Sequence, residues 1–155
     1  MRFMMLMIPK VYQGANGRNT AADFTPSPEA IKRMTRYNER LAKAGALVAL
    51  DGLHPPQEGT RVRFQGGKAQ ATDGPFTESK EVLGGYWVIR VGSKQEAVEW
   101  ARQCPADEGD VIEVRQVFDV SDWPEDARKA SESATVQAAL DQGAARAAKK
   151  PGRQP

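Results

Sequence analysis

Arg2-Phe3-Met4-Met5-Leu6-Met7-Ile8, closed by Pro9-Lys10, is the stretch on which the architecture of this chain turns. In an extended strand Phe3, Met5 and Met7 point one way and Met4, Leu6 and Ile8 the other. Both faces are apolar, so the strand belongs at the centre of a sheet covered on both sides. The run is short and ends at Pro9-Lys10 without a small-residue cleavage site, so no secretory leader is expected. No later stretch approaches the roughly 20 apolar residues of a membrane span.

Outward from this strand, a polar segment from Gln13 to Asp23 leads to Ser27-Pro28, a capping serine followed by a proline suited to the first helical position. Ile31, Met34, Asn38 and Leu41 form the inner stripe of that helix, and Gly45 stops it. Ala46 to Leu50 reads as a short buried strand, and Asp51 to Gly59 as a loop stiffened by Pro55-Pro56. Val62 and Phe64 then alternate with Arg61 and Arg63, and Gly66-Gly67 turns the chain back along Lys68 to Thr72. Two glycines between alternating segments fit a tight primed turn, which sets Arg61 opposite Thr72. Tyr86 to Val91 is a further strand. Ser93-Lys94-Gln95-Glu96 matches a capping box and starts a helix with Ala97, Trp100, Ala101 and Cys104 on its apolar face. Pro105 ends it, and Val111 to Phe118 is the last strand.

This order predicts an α+β fold, a ferredoxin-like antiparallel sheet with two helices on one face and an extra β-hairpin. Two helices cover only one face of such a sheet. The second face of the first strand calls for other cover, and a second copy of the chain supplies it most simply, so a homodimer is expected.

The domain is expected to span residues 1–123. Residues 124–155 form an Ala-rich, charged tail, in which Val136, Ala139, Leu140, Ala144 and Ala147 could line a helix over 134–148. The net charge of +2 resides in that tail, because residues 1–123 carry acids and bases in equal number. A neutral body does not suit phosphate neutralisation, so nucleic acid is not an expected partner, and no membrane is either. The single cysteine, Cys104, cannot form an internal disulfide, which fits a reducing, cytoplasmic setting. A glycine-rich phosphate loop and a dinucleotide fingerprint are both missing. One His and one Cys cannot build a common zinc site, so no cofactor is expected.

Asp73-Gly74-Pro75-Phe76-Thr77-Glu78-Ser79-Lys80-Glu81, followed by Gly84-Gly85-Tyr86-Trp87, resembles the signature of the DGPF group of YCII-related proteins. Gly52-Leu53-His54-Pro55-Pro56, Gly66-Gly67, Ala97-Val98-Glu99-Trp100-Ala101, Cys104-Pro105 and Glu113-Val114-Arg115 extend the match through most of residues 1–118. Gln116, where a proline is common, and the long tail depart from the pattern. The resemblance implies a dimeric α+β barrel, in which two ferredoxin-like sheets pack face to face. It also implies a recurring His and Asp, but no general reaction. Some relatives are encoded beside, or fused to, extracytoplasmic-function sigma factors, which implies that a regulatory association is open.

The residues themselves sharpen this. His54 is the only histidine, and its side chain alone titrates near neutrality when unperturbed. The hairpin register puts Asp73 at the open end, a short loop from His54, so a His54–Asp73 pair for proton transfer is expected there. The bland alternatives are a surface histidine beside two prolines and an aspartate engaged in turn chemistry. Arg61 and Arg63 could hold a carboxylate, although exposed strand arginines are commoner. Glu78 and Lys80 belong to a charged run that the motif makes candidates for a pocket wall, and Tyr86 could place its hydroxyl there. Two functions remain: a cofactor-free small-molecule enzyme (isomerase, lyase or dehydrochlorinase-like) acting on an unknown ligand, and a non-catalytic ligand-binding or regulatory module.

Overall fold

The structure, a computed structural model, describes residues 1–13, 24–76 and 82–149. The chain divides into two compact units, Met1–Val117 and Phe118–Pro155.

In the first unit, strands β1 (Arg2–Ile8), β2 (Leu47–Gly52), β5 (Gly85–Arg90) and β6 (Val111–Gln116) form an antiparallel sheet in the order β2-β5-β1-β6. β1 is central, paired with β5 through Met5↔Trp87 and with β6 through Met5↔Val114. Helices α1 (Pro28–Lys43) and α2 (Lys94–Arg102) complete the ferredoxin-like pattern. The inserted hairpin, β3 (Thr60–Gln65) and β4 (Lys68–Asp73), makes its own two-stranded sheet. Its register pairs Arg61 with Thr72, as the Gly66-Gly67 turn predicts. Both glycines adopt positive φ, +58° and +72°, as a primed turn demands.

The core lies between sheet and helices: Phe3, Met5 and Met7 from β1, Trp87 and Ile89 from β5, Tyr37 and Leu41 from α1, and Ala97 from α2. Met34, Asn38 and Leu41 of the expected α1 stripe face inward, whereas Ile31 does not. Tyr37 is buried, its ring edge-on against Trp87 and Trp100, and Ile31 is 47% exposed. The helix ends are as the residues dictate. Ser27 Oγ accepts from Ala30 N at 3.2 Å. At the other end Gly45 (φ +68°) lets Ala46 N reach Leu41 O and its own N reach Ala42 O. Ser93 caps α2 through Glu96 N, but Glu96 Oε2 reaches back to Gly92 N rather than to Ser93.

β2 differs from the buried strand expected at 46–50. Among the described residues it is an edge strand paired with β5 alone, Leu47 and Leu50 turned toward the core and Val48 49% exposed at an irregularity. On the far face of the sheet Met4 and Val88 are half-buried. Leu6 and Ile8 are covered more than bare alternation suggests, at 9% and 4% exposure, flanked across the strands by Tyr86, Glu113 and Val111.

The second unit holds α3 (Glu125–Ser131) and α4 (Ala134–Lys149), the latter close to the expected helix. Lys129 pairs with Glu125 one turn earlier, and Val136 and Leu140 are exposed. No helix of the described residues is long and apolar enough to cross a membrane.

Candidate functional site

β1 and β2 end, and β5 and β6 begin, at one end of the sheet, so four connections gather there. Between them and α1 lies a cavity of about 1000 Å³. Its apolar walls come from Met7 of β1, Met34 of α1, Leu50 of β2, Trp87 of β5, and Tyr12 and Phe24, whose rings meet edge-on at 6.2 Å. Gly84 is required at the floor: a Cβ there would collide with the Pro9 ring.

His54 lines this cavity, two residues beyond the end of β2. Its imidazole makes no hydrogen bond among the described residues, so both ring nitrogens are available to a ligand. Asn38 also lines it and is held with precision. The Trp87 indole Nε1–H donates to Asn38 Oδ1 at 2.8 Å. Tyr37, beside it in sequence, donates its hydroxyl to Trp100 O at 2.9 Å and packs edge-on to Trp87. Burial, with the Cys104 charge adding to it, holds the Tyr37 phenol protonated well above its ordinary range. At the rim, Arg33 pairs with Asp107 at 3.1 Å, and Asp110 accepts from Lys10 N and Asp107 N.

Tyr86 is on the lining, but its hydroxyl donates to Asp51 Oδ2 at 2.7 Å. That hydrogen bond first, and the Asp51 charge second, raise the phenol's pKa. Strand alternation turns Asp51 and Tyr86 to the face opposite Leu50 and Trp87.

Asp73 sits at the open end of the hairpin, paired with Thr60, as its register requires. Its Oδ1 accepts from Thr60 Oγ1 at 2.6 Å, and it is not among the cavity residues. Gly74 N donates to Gly59 O at 2.8 Å, and a Cβ on Gly74 would run into the Pro56 carbonyl oxygen. Asp73 and Gly74 therefore clamp the Pro56–Gly59 turn that follows His54. No hydrogen bond joins His54 to Asp73. Arg61 stacks over the Phe76 ring at 4.0 Å, and neither it nor Arg63 lines the cavity. Glu78 and Lys80 lie outside the described residues.

Asn38 was read from sequence only as part of a helix stripe. A polar residue in an otherwise apolar stripe was the available signal. Its partner Trp87 is 49 residues away, on another element.

The model of the YCII-related domain matches residues 1–121. The chain belongs to the YCII-related family. An uncharacterized protein of Rhizobium meliloti (strain 1021) is 31% identical over 72 residues, which is 46% of this chain. The matched segment spans 58% of that relative's length.

Proposed function

We propose that this YCII-related chain is a cofactor-free enzyme of the DGPF type that transfers a proton on a largely apolar small molecule, in an isomerase-, lyase- or dehydrochlorinase-like step. One observation carries this reading: the sole histidine, with no hydrogen-bond partner among the described residues, lines a large apolar cavity. Small-molecule sites run to about 300–1,000 Å³ with few polar groups, and this cavity is at the top of that range. His54 is the exchanging group. Asp73 acts through the clamp on the Pro56–Gly59 turn and so positions His54, in place of a directly bonded pair. The protein works as a homodimer in the cytoplasm, where its lone thiol stays reduced.

A panel of ketones and nitroalkanes incubated in D2O and followed by NMR tests this. At least one compound exchanges a C–H for deuterium with the wild type, and His54→Gln slows that exchange by about 100-fold or more. Ligands that bind without any exchange would overturn the enzyme reading. They would favour a regulatory module instead, associated with a partner such as an extracytoplasmic-function sigma factor. One feature suits that second reading: the hairpin carries Phe64 at 84% and Val62 at 52% exposure.

A further inference from the structure

The Asn38 amide has a defined orientation. An indole N–H donates and never accepts, so the atom facing Trp87 Nε1 must be Oδ1. The NH2 end, Nδ2, is then the free end, and it finds no acceptor among the described residues. Asn38 lies on the cavity wall, in the same lining as His54. Trp87 is itself immobilised: it is 6% exposed and braced by the Tyr37 ring at 6.0 Å. The cavity lining thus contains a hydrogen-bond donor whose direction is set before any ligand arrives, together with Met7, Met34, Leu50 and aromatic rings. A preset donor in an apolar wall selects for an acceptor, because a ligand without one leaves that N–H unpaired.

We infer that Asn38 Nδ2 is the binding donor for a carbonyl oxygen, and that the ligands of this site are apolar carbonyl compounds with an acidic C–H beside the carbonyl. This rests on the reading of His54 as the proton-transfer group. In the step, the imidazole takes the proton from the carbon next to the carbonyl. The C–H pair becomes the new carbon–carbon π bond, and the carbonyl π pair moves onto oxygen. That oxygen gains negative charge and accepts more strongly from Asn38 Nδ2, so the donor favours the transition state over the ground state. In a β,γ-unsaturated carbonyl compound the anion so formed is a dienolate, and return of the proton from His54 to its γ carbon completes an isomerisation with no further reactant.

Two probes of matched shape separate the possibilities: 4-phenylbutan-2-one, which only accepts, and 4-phenylbutan-2-amine, which at neutral pH only donates. Their affinities for the full chain are measured by titration calorimetry. The wild type is expected to bind the ketone at least about tenfold more tightly than the amine. Asn38→Asp keeps an oxygen for Trp87 and replaces the NH2 by a second acceptor, so the preference should invert in favour of the amine. Trp87→Phe removes the N–H that orients the amide, and the ketone preference should fall by about threefold or more. Equal binding of both probes by the wild type, or a preference unmoved by Asn38→Asp, overturns the assignment to Asn38 and leaves the cavity reading standing. Failure of the wild type to bind either probe overturns the cavity reading together with it.

Discussion

Cys104 lies two residues beyond α2, packed against the core, with its thiol pushed up to about 12 from an ordinary 9.0. Burial is the main cause, and the negative charge of Asp110 adds to it. The neutral thiol is thus the form the fold favours, which disfavours nucleophilic chemistry at Cys104. Linkage gives this a sign. Below pH 9 both folded and unfolded chains keep the proton and stability does not depend on it. Between pH 9 and 12 the unfolded chain releases a proton that the fold retains, so stability falls as pH rises. Tyr37, and to a lesser depth Tyr12, act in the same direction above pH 10. Urea unfolding followed between pH 8 and 11 should show this decline, and Cys104→Ala should flatten it. An identical slope in the variant would mean the thiol titrates normally. A residue's own type and neighbours made Cys104 legible in the sequence. Asn38 was not legible in this way, because its orientation depends on an indole from a different strand, which no local pattern records.

At the scale of elements, the Asp73-Gly74-Pro75-Phe76 segment serves the hairpin before it serves chemistry. Asp73 binds Thr60, Gly74 binds Gly59 and presses on Pro56, and Phe76 lies under Arg61. The glycines of this region do different work. Gly66 and Gly67 have empty space where a Cβ would sit and are needed for their positive φ, whereas Gly74 is needed for its missing Cβ. Gly74→Ala should therefore displace the Pro56–Gly59 turn and cost about 1–3 kcal/mol, the range of an overpacked site. The measurement is the shift in denaturation midpoint, with the effect on His54 read from its ring proton signals. An unshifted midpoint together with unmoved His54 signals would show that the clamp does not position the imidazole. Strands, caps and hairpin register were readable because each is set by neighbours in sequence: alternation in 2–8, Ser27-Pro28, Gly66-Gly67. The hydrogen bond of Asp73 to Thr60 was not, since it depends on how two loops meet. The edge position of β2 was likewise hidden, because strand order is set by pairing across the sheet and not by the apolar run of Ala46 to Leu50.

At the scale of the whole molecule, the far face of the sheet is the surface on which the proposed homodimer rests. Across its four strands one row reads Asp51, Tyr86, Leu6, Glu113, and the next Ala49, Val88, Met4, Arg115. Apolar groups occupy the middle of each row, and charged or small groups occupy the two edges. Such a distribution suits the proposed interface, with an apolar centre and a polar rim. Val111, 47% exposed and paired with Ile8, extends the apolar surface at one edge strand. Among the described residues of Met1–Val117, α1 and α2 both lie on the opposite face. A two-fold pairing of this face with itself would bring the Leu6 and Val88 regions of two protomers together. An obligate interface of that kind buries about 2,000 Å² or more, enough to persist at micromolar concentration. Light scattering should then report about twice the 17.0 kDa chain mass. Val88→Asp places a charge in the middle of the face without touching the helix-side core, and should yield a folded species at the single-chain mass. A wild type that remains at 17.0 kDa throughout dilution, or a Val88→Asp variant of unchanged dimeric mass, would mean that this face is not the interface.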